Sequence, residues 1–390
     1  MQRIDVTERR ARLLRRHRIA PPDRAADAPA VARSLVCLHA TDAVTVYLAI
    51  QARTDGVGPA DVERSLYEER SLVRLLAMRR TLWAVPRELV PVVFAAATRT
   101  VAARERKRLE GFVRESGVST RPGAWVTRAG KAALAAVEER GEALTREVVA
   151  DVPLLAKKLL VGTGKWEFAP SAGARVLPQL AMEGMLLRGR PHGTWASPRF
   201  RWVTTESWLG GPIEQLDQGQ AQAELLRRWL AAFGPASETD VRWWTGWTAR
   251  EARAALAAVP HAEVDLGGTT GYVLAGDLEP TAAPEPSAAL LPTLDPTTMG
   301  WKERDWYLGP HGPTLFDMNG NAGPTVWWEG RVVGGWSQRG DGEIVYRLLE
   351  DVGADAVAAV EVEAAHVAAW LGDVRFSPGF LPPFQRDLAR

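Results

Sequence analysis

Cysteine is almost absent: Cys37 stands alone among 390 residues. No disulfide can close within the chain, and no cysteine-rich zinc site can be assembled. The six histidines, at 17, 39, 192, 261, 311 and 366, are scattered, and no HExxH motif occurs. No structural metal is expected. Long apolar runs are missing as well, since nothing approaches the roughly 18 consecutive apolar residues of a membrane span. The N-terminus is rich in arginine and has no hydrophobic stretch, so neither a signal peptide nor a membrane anchor is expected. These absences exclude a disulfide scaffold and a zinc module, and they point to a reducing cytoplasm.

What is present is ordinary in bulk and uneven in detail. The composition, 46% hydrophobic and 24% charged, is that of a globular protein, and the length exceeds a single ordinary core. The net charge of +1 hides an asymmetry. Residues 1–35 carry nine arginines against four acids, and residues 121–210 thirteen basic against eight acidic. Residues 261–390 carry eight basic against nineteen acidic. Such a chain can turn a basic face to a polyanion while staying nearly neutral overall. Sixteen tryptophans imply an aromatic-rich core.

Periodicity predicts a repeated order of elements. Residues 1–115 read as helices, with Thr7 a suitable N-cap, followed by a strand-like "RRTLWAVP" at 79–86. The order recurs as "TREVVADVP", a helix within 168–185, and two strands, "LLRGR" and "FRWVTT", joined by "PHGTWASPR". It recurs again as "QAQAELLRRWLAAFG", a helix opened by Ser237 and Asp240, "TAREARAALAAV", and a hairpin turning at Gly267–Gly268. Helices followed by a hairpin outline a winged helix. The proline-rich 277–289 reads as a linker. Beyond it the texture is β, with a tight turn at Glu329–Gly330 and a final helix. The expected organisation is α+β: winged-helix units at 1–115, 116–212 and 213–276, then a β-rich domain at 277–390.

One stretch concentrates chemistry. "LVCLHATDAVTVYLAIQARTD" sets His39, Thr41 and Asp42 in apolar surroundings. In a continuous helix His39 and Thr41 would diverge by about 200°. At a bend capped by Thr41 or Asp42 they can face one cavity and hold a water. The alternative is a capped helix start beside a satisfied core histidine.

The stretches "LHATDAVTVYLAIQARTDG", "SLVRLLAMRRTLWAVP", "MEGMLLRGRPHGTWASPRFRWVTTESWLG", "LPTLDPTTMGWKERDWYLG" and "PTVWWEGRVVGGW" together resemble the AlkZ-like bacterial DNA glycosylases. The resemblance covers most of the chain. It implies three winged-helix domains with a C-terminal β-barrel-like domain, and hydrolysis of an N-glycosidic bond in damaged DNA without a cofactor. The partner it implies is double-stranded DNA carrying an alkylated purine. The protein would be a monomer that requires no protein partner, cytoplasmic and nucleoid-associated when bound. The family's Gln-Φ-Gln or Gln-Φ-Asp motif, with Φ apolar, falls on His39-Ala40-Thr41, so both glutamines are replaced. His39 would then orient or deprotonate the water, and Thr41 would supply a second hydrogen bond. Asp42 would supply charge near the sugar or simply cap its helix. The histidine form also resembles a branch linked to self-resistance against trioxacarcin-type alkylating antibiotics. DNA contacts are expected from Arg79, Arg80, Lys157, Lys158, Lys165, Lys302 and Arg304, and from the hairpin residues Arg188, Arg190, His192, Trp195 and Arg199. Two other functions fit the same residues: a non-catalytic DNA-binding regulator, and a protein that sequesters the drug itself.

Overall fold

The computed structural model describes residues 1–390 except Pro22 and Thr163, and of Lys165 only the backbone. Thirteen strands are defined among the described residues: β1 (Gln2–Arg3), β2 (Leu38–His39), β3 (Leu72–Leu76), β4 (Leu82–Pro86), β5 (Glu142–Ala143), β6 (Leu186–Pro191), β7 (Phe200–Thr204), β8 (His261–Asp265), β9 (Thr270–Leu274), β10 (Ala288–Leu291), β11 (Thr325–Trp328), β12 (Arg331–Gln338) and β13 (Ile344–Leu348). They form three sheets, ordered β1-β8-β9, β10-β11-β12-β13 and β2-β4-β3-β6-β7-β5.

Local chemistry sets the helix starts. Asp5, not Thr7, caps the first helix, Val6–Arg16, by accepting from the Glu8 N–H. A carboxylate at the cap position reaches a free N–H of the first turn better than a threonine already inside that turn. Asp27 and Asp42 cap Ala28–Ser34 and Ala43–Gln51. Ser237 with Asp240 forms a reciprocal capping box on Glu238–Thr245, as its sequence predicts.

The hairpins predicted in the second and third units are present as β6–β7 and β8–β9, and the single strand expected at 79–86 is instead half of a hairpin, β3–β4, whose turn takes up Arg79 and Arg80. The β3–β4 and β6–β7 hairpins are not separate. They share the six-stranded sheet, joined where Arg74 of β3 faces Arg188 of β6. The helix Arg99–Glu115 spans the same junction: its Leu109 and Val113 are buried among Val126, Leu177 and Trp202. The β8–β9 hairpin gains the N-terminal strand β1 as a parallel neighbour.

The C-terminal strands form a four-stranded antiparallel meander rather than a closed barrel. Its edge strands β10 and β13 are not paired with each other, because four strands are too few to curl shut around side chains. The helix Ala354–Leu371 packs on both edge strands instead. Glu329 and Gly330, both at positive φ, make the tight turn between β11 and β12.

The arginines of the first helix do not form a face for a polyanion. Arg12 holds Glu8, Asp277 and the Glu279 carbonyl, and Arg16 holds Asp277 and the Gly234 carbonyl. Arg10 donates to the Trp306 carbonyl and Arg15 to Asp23 and the Ala282 carbonyl. Arg12, Arg15 and Arg16 thus fasten residues 277–282 across the first helix.

Candidate active site

The site begins at an edge. β2 is the outer strand of the six-stranded sheet, pairing with β4 through Leu38–Ala84 and His39–Trp83. The pairing continues as the Ala40 N–H donates to the Leu82 carbonyl. The strand ends at His39, and Thr41 follows it at a bend. The chain then turns into the helix Ala43–Gln51 at Asp42. The bend expected from the sequence is therefore a strand-to-helix turn.

His39 is 2% exposed. Its ring meets the Trp83 indole edge-on, with centroids 4.8 Å apart. Its Nδ1 is sealed from solvent and has no hydrogen-bond partner among the described residues. Burial, aided by the charge of Arg79, pushes its pKa down to about 3. The imidazole is neutral at neutral pH and a weak proton acceptor. Such a ring is poorly suited to deprotonating a water, one of the two roles expected of His39. Thr41 is half-buried, and its hydroxyl oxygen accepts from the Leu82 N–H at 3.2 Å. The hydroxyl proton remains available to donate. Asp42 is buried. Its carboxylate accepts from the Val44 N–H at 3.1 Å and from the Gly379 N–H at 2.7 Å. Desolvation raises its pKa against those two bonds. Asp42 caps its helix and also tethers the C-terminal tail.

Beside His39 the β3–β4 turn presents Arg79 and Arg80, two consecutive non-glycine residues in the left-handed region, at φ 54° and 63°. Backbone of this kind persists only where its surroundings enforce it. Arg79 packs on Trp243, 4.2 Å from the ring centroid, and against Gly246. Arg304 packs on the same indole at 4.7 Å. Arg80 pairs with Glu105 at 2.8 Å. Arg79 and Arg80 also line a cleft of about 520 Å³ with Arg104, Arg108, Trp247 and Glu251. A smaller hollow continues it past Arg80 and Arg108 to Arg175.

The remaining expected DNA contacts are placed as follows. Lys157, Lys158, Arg199 and Lys302 are exposed, and His192 is half-buried. The side chain of Lys165 lies outside the described residues. Arg188 lies 3.5 Å above the Trp202 ring, and burial lowers its pKa to about 10. Arg190 pairs with Glu63 and Glu68. Trp195 is 8% exposed, stacked on Tyr47 and edge-on to Trp370. The aromatic of the "GRPHGTWASPR" loop therefore points inward and anchors the hairpin. Sequence reasoning missed Arg104, Arg108 and Arg175. The four-residue spacing of Arg104 and Arg108 in "RTVAARERKRLEG" was the available signal, since it puts both on one helix face. The contact of Gly379 with Asp42 spans 337 positions and left no local trace.

The family described as "DNA glycosylase AlkZ-like" matches residues 32–370. Among solved structures, the DNA glycosylase AlkZ of Streptomyces sahachiroi has the same fold, with a TM-score of 0.73 at 24% identity over 96% of this chain and 99% of that one. No curated protein matches. The family match runs from just before β2 to the end of the helix Ala354–Leu371, and with it this chain belongs to the AlkZ-like DNA glycosylase family.

Proposed function

We propose that this DNA glycosylase is monofunctional and releases bulky N7-alkylguanine adducts from duplex DNA, in a cell resisting its own trioxacarcin-type alkylating antibiotic. The helix–hairpin modules at 1–115, 116–212 and 213–276 act as winged-helix units, with the sheet domain at 277–390 closing one side. The observation that carries the reading is the buried His39, with an unpartnered Nδ1, on an edge strand within the field of Arg79, which itself lines the arginine-rich cleft. N7 alkylation makes the base cationic and a good leaving group, so little general acid is needed. The enzyme must place a water and tolerate an oxocarbenium-like sugar. His39, sealed in the free protein, accepts a hydrogen bond from that water once DNA binding opens the site, and Thr41 donates a second. Asp42, a buried carboxylate next in sequence, balances the developing charge. No lysine adjoins His39 in sequence, which fits hydrolysis without a Schiff base. A bulky adduct cannot be swallowed whole as a bare base can. The open cleft flanked by Arg80, Arg104 and Arg108 suits it better than a closed pocket.

The test uses duplex bearing a single N7-alkylguanine adduct, followed by heating in alkali to reveal abasic sites. Strand breaks are expected with adducted DNA only. His39→Ala is expected to lower single-turnover excision by on the order of 10²-fold or more while DNA affinity is kept. Undiminished excision by that variant removes His39 from the mechanism. No breaks with any adduct removes the substrate assignment.

A further inference from the structure

We infer that Arg79 and Arg304, seated on Trp243, form a receptor for one phosphate of the damaged strand and so set the register of the nucleotide against His39. This inference rests on the catalytic reading above.

Several arginines of this molecule are neutralised by acids. Arg80 holds Glu105, Arg190 holds Glu63 and Glu68, and Arg53 holds Asp295. Arg79 and Arg304 form no ion pair among the described residues. Instead each retains a buried N–H without a partner, Nε of Arg79 and Nη1 of Arg304. Arg304 is 8% exposed. Two cations on one indole repel each other, and each lowers its surroundings' tolerance for further positive charge. Indeed burial, with the charge of Arg304, draws the Arg79 pKa down to about 10. Aromatic packing offsets part of that repulsion but gives the orphaned N–H groups no acceptor.

The backbone is built to hold this arrangement. The Arg79 carrier turn lies in the left-handed region. Gly246, itself at φ 76°, leaves just enough room, since a Cβ there would stand 3.4 Å from the Arg79 Cγ. Arg304 is fixed from the other side by Phe316, 4.7 Å away.

The chemistry of the reaction selects the ligand. The leaving base is cationic and the sugar becomes so, and neither suits a pair of guanidinium groups. A phosphodiester is the one anionic group a DNA strand offers. Its two non-bridging oxygens can each take a charge-assisted hydrogen bond, one from each arginine. Binding it also cancels the Arg79 field that His39 feels, which removes a charge hostile to an oxocarbenium ion. Arg79 and Arg304 are positioning residues here, acting through the phosphate.

The experiment measures affinity for duplexes containing a tetrahydrofuran abasic analogue, with a neutral methylphosphonate placed in turn at each phosphate near it. The wild-type protein is expected to show one position beside the analogue where neutralisation weakens binding at least about tenfold. In Arg79→Met and in Arg304→Met that penalty should vanish while penalties elsewhere persist, and Arg304→Lys should restore part of it. A general folding defect would scale all positions together. Arg79, partly buried at a hairpin tip, gives the reading should Arg304→Met not fold. An unchanged pattern of penalties in the folded variants overturns the phosphate receptor. Failure of wild-type protein to release an N7-alkylated base, with the pattern intact, overturns the catalytic reading and leaves the receptor standing.

Discussion

His39 is the site residue whose protonation burial controls. A histidine held neutral in the folded state, with a pKa of about 3, and protonated in the unfolded chain below its ordinary 6.5, makes the unfolded state bind more protons between those values. Stability is then fully present above pH 6.5 and falls as pH drops toward 3. His17 acts in the same direction, its pKa lowered chiefly by burial. Asp42 and Asp240, raised by burial, act oppositely: their contribution is present below 3.8 and lost as pH rises through their folded values. The slope from His39 alone is about 1.4 kcal/mol per pH unit. Urea unfolding of wild type and His39→Gln at pH 6.5, 5.5 and 4.5 should show a shallower decline in the variant by about that amount. Parallel declines would mean that His39 is not held neutral by burial. The same burial weighs against the role of base, because sequence offered His39 as either a base or an orienting group and only the environment separates them.

Among the elements, the β6–β7 hairpin most changes meaning between sequence and structure. Its basic and aromatic composition reads as a groove probe. In the fold Trp195 is spent on Tyr47 and Trp370, Arg188 on Trp202 and Arg190 on two glutamates. The Trp195 partners lie 148 and 175 positions away and the two glutamates more than 120 from Arg190, so no local pattern could reveal them. Trp195→Ala should therefore behave as a core truncation and lower the unfolding free energy by about 3–5 kcal/mol. A loss below about 1 kcal/mol in denaturant titration would show that the loop is not anchored by that ring. The β3–β4 hairpin is the reverse case. "MRR" has no turn-favouring residue, yet it forms the tightest turn at the site and displays the arginines toward the cleft.

At the scale of the whole molecule, one buried network ties the parts together. Arg53, at the end of the helix that starts at Asp42, makes a two-pronged bond to Asp295, with both side chains fully buried. The same guanidinium reaches the His17 and Ala49 carbonyls and the Thr297 hydroxyl, and Thr297 meets the His17 ring. His17 in turn contacts the Ala232 carbonyl. The first helices, the Gln218–Phe233 helix and the C-terminal domain are thereby locked to one another behind the site. Asp295→Asn leaves an arginine charge buried without its counter-charge and should cost about 3–5 kcal/mol. Thermal unfolding should show a lower Tm together with a weakened coupling of the C-terminal sheet to the rest. An unchanged Tm would mean that the network does not hold the parts together.

The sequence by itself determined the Ser237–Asp240 capping box, the turns at Gly267–Gly268 and Glu329–Gly330, and the placing of the motif at His39–Asp42 at a bend, because these depend on neighbours within a few residues. It also carried the family. Only the tertiary structure decided which arginines are spent inside the molecule and which remain free, that two hairpins merge into one sheet, and that His39 is neutral. Those properties depend on charge partners and desolvation supplied by residues tens to hundreds of positions away, and no local pattern encodes them.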